Sequence, residues 1–297
     1  MKLTKLLLMS VVFFGYGRIV AQDTTNLMNQ LEKESVENKT VYTVATFKTT
    51  RIVDGHSIEN LPKNVLDLRI SHRFGPLSSG AYNFFGLDNA TMRLGFDYGI
   101  TNNFMIGIGH STYQKTYDGF FKLRILRQST GAVNMPVTVS FVPTIAINTL
   151  KQFDSGKTNF SDRVSFAYQL LIGRKFSEKF ALQIMPTFIR ADQISFNHRK
   201  QNIFAIGIGG RHRLSRRISL NAEYYYQLPD TKALDATNVL SFGIDIGTGG
   251  HVFQLHFTNS TGLTEKSFIS ETTGRWDKSD VLFGFNISRV FQLKKKN

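Results

Sequence analysis

The chain has 297 residues, a formal net charge of +14, no cysteine, 26 Phe and 24 Gly. Without cysteine there can be no disulfide, no thiolate metal site and no lipidated lipoprotein cysteine, and no Pro/Gly/Ser-rich linker divides the chain, so one domain is expected. The cations are spread along strands and turns rather than grouped on one helix, which argues against a nucleic-acid surface.

Taken in order, the chain begins with Lys2 and Lys5 before the apolar run Leu6–Phe14 and a small-residue junction at Ala21-Gln22. This is the pattern of a cleaved signal peptide over 1–21, too short for a membrane anchor. Lys2, Lys5 and Arg18 belong to it, leaving about +11 on the exported part. Residues 23–37 read as a helix with Leu27, Met28 and Leu31 on one stripe. Val41 to Ile52 reads as extended. Residues 22–64 together are expected to lie in the periplasm or along the lumen, as a tether or a plug.

From residue 65 the pattern changes to strict alternation. In TMRLGFDYGI-TNN-FMIGIGHS (91–111), Met92, Leu94, Phe96, Tyr98 and Ile100 alternate with Arg93, Gly95, Asp97 and Gly99 across a short Thr-Asn-Asn turn. Two-residue periodicity on both sides of a turn predicts a β-hairpin. Large apolar residues on one face, with glycine and charge on the other, suit a barrel with lipid outside and water or paired charge within. Twelve such strands are predicted, near 65–74, 91–100, 104–112, 118–127, 137–148, 163–174, 180–190, 203–214, 218–227, 238–247, 251–259 and 281–292. Each is close to the roughly 9–11 residues that cross a bilayer at a tilt.

Connection lengths agree with that count. Short turns at 101–103, 177–179, 215–217 and 247–250 alternate with longer loops at 75–90, 149–162, 191–202, 228–237 and 260–280, as short periplasmic turns alternate with long external loops; 113–117 is a short external connection and 128–136 a longish periplasmic one. Counting 41–52 as a thirteenth strand would break the parity, so it is left out of the barrel, which spans 65–293 before a basic tail at 294–297. Tyr224 and Tyr226 are placed at the external girdle, Tyr98 and Phe180 at the periplasmic one. The last strand, FGFNISRVFQL, has the aromatic character by which barrel-insertion machinery would recognise it. The fold class is therefore all-β: a single antiparallel transmembrane β-barrel closed so that no strand edge meets hydrocarbon.

The chain also resembles a known family. The stretches DGHSIENL (54–61), SHRFG (71–75), FGLDNATMRLGFDYGIT (85–101), QKTYDGF (114–120), RQSTG (127–131), SLNAEYYYQLPD (219–230), GGHVFQLHFTNSTG (249–262) and FGFNISRVF (283–291) are similar to a Bacteroidota outer-membrane β-barrel family known as a domain of unknown function. The resemblance implies fold and outer-membrane location, and it carries no catalytic or binding residues.

The inward charges are the functional lead. Arg69, Arg73, Arg93, Lys122, Arg124, Arg211 and Arg213 oppose Asp67, Asp97, Glu223 and Asp245, a small cationic excess that would favour anionic solutes in a water-filled lumen. The plainer expectation is that most of them pair across the interior. Twelve strands lie between the eight whose interior is packed and the sixteen that leave a channel. Inward glycines at 95, 107, 109, 207, 209 and 243 are expected mainly to relieve crowding, and otherwise to widen the lumen or admit an inserted segment. A hydrolytic Ser/His pair is poorly supported: His110 and Ser111 face opposite sides, and His256 and Ser260 lie about 13 Å apart along the strand. No metal, cofactor or catalytic residue is assigned. The expected partners are outer-membrane lipid and the insertion machinery, and a periplasmic partner is possible. Three functions follow: a narrow pore or uptake channel for small anionic solutes, a structural or partner-binding barrel with an occluded lumen, and an acyl hydrolase.

Overall fold

The computed structural model describes residues 39–151, 160–191 and 201–293. The expected leader, the helix over 23–37 and the basic tail lie outside these residues. Twelve strands form one closed antiparallel barrel: β1 (Val65–Pro76), β2 (Ala90–Gly99), β3 (Phe104–Ser111), β4 (Thr116–Leu126), β5 (Thr138–Asn148), β6 (Val164–Lys175), β7 (Phe180–Ala191), β8 (Gln201–Arg213), β9 (Ile218–Gln227), β10 (Val239–Thr248), β11 (His251–Thr258) and β12 (Leu282–Gln292). Each pairs with its neighbour in sequence, and β12 returns to β1 from Gln292 opposite Val65 to Leu282 opposite Pro76, with one irregularity near Gly284. Closure leaves no row of unpaired N–H and C=O groups facing lipid.

The predicted face assignment holds. Burial alternates residue by residue, so that on β9 Ser219, Asn221, Glu223 and Tyr225 face inward while Ile218, Leu220, Tyr224 and Tyr226 face out. Outward Phe96, Ile108, Phe204, Ile206, Ile208, Phe242 and Phe253 are all exposed. A contiguous apolar belt of this extent would be an aggregation liability in water and belongs in a bilayer. Tyr98 and Tyr224, at opposite ends, anchor their hydroxyls on Asn64 (3.2 Å) and Asn238 (2.9 Å), keeping the polar tip out of the apolar belt.

Two regions need more than the strand pattern. Loop 260–280, expected to be irregular, contains a six-residue helix, α1 (Glu265–Ser270), every residue of which is buried. It starts with a capping box in which Thr264 and Ser267 bond reciprocally, but six residues are too few to show helical periodicity in sequence. Residues 46–61 lie inside the barrel, the lumen alternative of the sequence reading, with Val44 and Ala45 exposed at its rim.

A hairpin held in the lumen

Val41 and Tyr42 pair with Ser129 and Thr130 at the short-turn end, in the longer β4–β5 connection. From there the chain enters the lumen, turns, and returns to β1. The turn is a tight hairpin: Ile52 N donates to Gly55 O (2.9 Å), and Ser57 N donates to Thr50 O (3.0 Å). Phe47, Ile52, Val53, Ile58 and Leu61 are buried in one cluster with wall residues Met105, Phe120, Leu171, Met185 and Tyr225. Two wall glycines make room for it. A Cβ on Gly173 would stand 2.7 Å from Ile58 Cδ1, and one on Gly209 would collide with Ile52 Cδ1. Of the six inward glycines named from sequence, Gly209 and Gly243 face the inserted segment, whereas Gly95, Gly107, Gly109 and Gly207 make room for the wall side chains Arg93, Phe120 and Tyr225, as relief of crowding requires.

A hairpin this short leaves most of its main-chain groups without internal partners, and buried groups of that kind must be satisfied elsewhere. The segment's own side chains take some, Glu59 accepting from Thr46 N and Phe47 N and Ser57 Oγ donating to Thr49 O, and the wall supplies many of the others. Lys122 Nζ donates to the carbonyls of Thr50 (3.2 Å), Ser57 (2.9 Å) and Glu59 (3.0 Å). Glu223 accepts the N–H groups of Val53 (3.3 Å), Asp54 (2.5 Å) and Gly55 (3.2 Å), which converge on it at the tip. Gln183 accepts from Ile58 N and donates to His56 O, both at 2.7 Å. Gln254 and Asn286 donate to Ile52 O (2.5 Å) and Val53 O (3.1 Å). The Asp54 carboxylate pairs with Arg73 and accepts from Ser241 Oγ (2.7 Å).

All the charges predicted to face inward do so, but most do not pair with each other. Arg73, Asp97, Lys122, Arg124, Arg211 and Glu223 bond the N-terminal segment: Asp97 faces Arg51 at 3.4 Å, Arg124 reaches Ile58 O at 3.3 Å, and Arg211 reaches Ala45 O at 2.7 Å. Arg69 touches the same segment weakly, at Thr49 Oγ1 3.5 Å away. The other four bond wall or rim residues: Arg93 with Asp118, Arg213 with Glu178 (3.2 Å), Asp67 with Ser288 (2.7 Å) and Asp245 with Gln254 (2.7 Å). Asp118 is missing from the predicted inner set although it shares parity with Lys122 on β4. Counting it gives seven wall cations against five carboxylates. The pairing across the interior is therefore largely a pairing with residues that a strand-by-strand reading places outside the barrel.

At the rim, Lys175 Nζ donates to Val44 O (3.1 Å) and Glu178 Oε1 (2.6 Å), which holds the Glu178 carboxyl in its turn below its ordinary range. From the long-loop end, α1 descends onto the hairpin. Phe268 meets Tyr225 edge to face at 5.2 Å, Gln227 Nε2 donates to Ile269 O (2.7 Å), and Glu265 Oε1 lies 3.2 Å from His56 Nε2. A cavity of about 400 Å³ opens at the short-turn mouth and one of about 50 Å³ at the long-loop mouth, with the buried hairpin and helix between them.

The residues weighed for hydrolysis do not converge. His110 packs on Tyr117 (4.5 Å), whereas Ser111 Oγ accepts from Tyr113 N (3.1 Å). His256 is buried, and Ser260 Oγ accepts from Thr272 (2.7 Å). Among the described residues, no group of three or more His, Asp or Glu is placed to hold a metal.

The closed antiparallel barrel with an apolar belt and short turns at one end defines the class: an outer-membrane β-barrel. Within that class, residues 47–291 match the family model described as a membrane-bound beta barrel domain (DUF5777), and the chain belongs to that family. The match starts inside the hairpin segment. No curated protein matches the chain. Among solved structures, the COG4313 outer membrane channel from Pseudomonas putida F1 is similar, with TM-score 0.50 and 12% identity over 80% of this chain and 100% of that one. The NanC porin aligns with TM-score 0.46 and 11% identity over 76% and 98%, and the KdgM porin in complex with disordered oligogalacturonate with TM-score 0.46 and 8% identity over 76% and 99%. At such identities the likeness is one of fold.

Proposed function

We propose that the protein is a plugged channel of the outer membrane, shut in the conformation described by residues 46–61, and able to pass small anionic solutes when that segment withdraws toward the short-turn end. The observation that carries this reading is the chemistry of the wall behind the hairpin. Lys122, Glu223, Gln183, Gln254, Asn286, Arg73, Arg124 and Arg211 spend their hydrogen bonds on the inserted segment. Without it they would line a hydrophilic lumen with a small cationic excess, as a water-filled pore requires and a permanently packed interior does not. Export through the N-terminal leader, orientation with the short turns in the periplasm, and a Bacteroidota source complete the reading.

A second reading, a structural or partner-binding barrel that never opens, is favoured by the complete burial of Ile52, Val53 and Ile58 and by the contact of α1 with the hairpin. Single-channel recording in a planar bilayer separates the two. On the channel reading the full protein is silent, and deletion of residues 23–61 gives steady, anion-preferring conductance. Silence of the refolded deletion variant would leave the closed scaffold as the better account.

A further inference from the structure

Beside the hairpin tip lies a small cavity of about 20 Å³, lined by Arg51, Arg69, Arg73, Arg93 and His56 together with Asp54, Asp118 and Glu265. Four guanidinium groups face one small space, and two of the carboxylates around it are already engaged. Asp54 bonds Arg73, Ser241 and Thr258, and Asp118 takes Arg93 through both oxygens; Glu265 lies 3.2 Å from His56 on the helix side. Arg69 is the exception. It is buried, its one hydrogen bond among the described residues is to Thr49 Oγ1 at 3.5 Å, and no carboxylate lies within ion-pair distance of it. Asp67 and Asp97 attract Arg69 only from beyond ion-pair distance, and its remaining N–H groups have no acceptor among the described residues. A buried guanidinium so poorly matched calls for a close acceptor, and a small anion fits charge as well as hydrogen bonding. A cavity needs roughly 10–15 Å³ on this measure to hold one water-sized species, so the space admits a monatomic ion and not a phosphate or a carboxylate solute.

We infer that this cavity is a binding site for a single halide, chloride under ordinary conditions, held by Arg69 with Arg51 contributed from the hairpin. The ion supplies Arg69 with a close negative partner, since Asp67 and Asp97 act on it only from farther away, and ties hairpin to wall. A cation would meet four guanidinium groups, and a water molecule would accept from Arg69 without adding a close negative charge. The site goes beyond the channel reading and stands whether or not the hairpin ever withdraws.

The test uses the full folded protein exchanged from chloride into bromide. Diffraction at the bromine absorption edge is expected to show one anomalous peak within hydrogen-bonding reach of the Arg69 guanidinium. Density there with no anomalous signal means water, and overturns the proposal. In parallel, chloride titrated into gluconate at constant ionic strength is expected to raise the unfolding midpoint saturably. Arg69→Gln should abolish that rise, while Arg213→Gln at the rim should keep it. An identical rise in wild type and Arg69→Gln would also overturn the site. Should Arg69→Gln fail to fold, the wild-type bromide peak decides alone.

Discussion

The barrel wall and the hairpin it encloses face the same problem, main-chain N–H and C=O groups shut away from water, and solve it differently. The wall pairs strand with strand around a closed ladder, so each segment satisfies its neighbour and the whole is cooperative. The hairpin has two internal main-chain bonds at its tip, a few more from its own Glu59, Ser57 and Thr49 side chains, and takes many others from wall side chains: one lysine for three carbonyls, one glutamate for three amides, three amide side chains and two ion pairs. Such a segment is stable only where it is docked, and its docking can be weakened without touching the ladder.

That contrast can be broken at single residues. The largest effect is expected from Asp54→Ala, which strands Arg73 in a buried site. Removing one partner of a buried pair costs about 3–5 kcal/mol. The loss should fall on the hairpin: amide exchange at 50–57 accelerates and leak currents appear, while β1–β12 amides keep their protection. A collapse of strand protection would show that hairpin and wall fold as one unit. Lys122→Met comes next, since each carbonyl left unsatisfied costs about 1–3 kcal/mol. It should open the same region in exchange measurements and raise protease sensitivity near Thr50–Glu59. Gly209→Ala tests packing rather than polarity. Its methyl would collide with Ile52, and overpacking of this kind costs about 1–3 kcal/mol, read as a lower unfolding midpoint. The smallest effect is assigned to Gly119→Ala, a wall glycine whose Cβ would meet nothing closer than 3.7 Å; its midpoint should stay within the roughly 0.5 kcal/mol typical of neutral surface changes. Equal effects at Gly209 and Gly119 would remove the distinction between hairpin-facing and lipid-facing glycines.

The same contrast explains what the sequence reveals. A wall strand writes its environment into every second residue, so β2 and β3 can be read from Met92–Ile108 alone, and the alternation of loop lengths confirms the closure. The inner charges follow by parity, and Asp118 could have been found by the same rule. The hairpin has no such periodicity. Its fold depends on Lys122, Glu223 and Gln183, which lie 63 to 170 residues away in the chain, and these contacts leave no local pattern. The clue available was chemical: DGHS at 54–57 supplies a glycine and a carboxylate to a turn, and inward Gly173 and Gly209 leave space that no wall side chain fills. Helix α1 is hidden for the same reason, being defined by burial against Tyr225 and Gln227 rather than by its own stripe.

The claim that the hairpin occupies the lumen is tested most directly by cross-linking. The natural chain has no cysteine, so an Ile58→Cys/Gly173→Cys pair would carry the only two thiols. The Ile58 side chain lies within 3.2 Å of where a Gly173 Cβ would stand, so the two Cβ atoms fall near the separation a disulfide requires. Oxidation of the folded double variant in membranes should produce an intramolecular disulfide, seen as a reducible mobility shift absent from either single variant. A folded barrel whose two thiols both remain free to alkylation would place residues 46–61 outside the lumen and contradict the account.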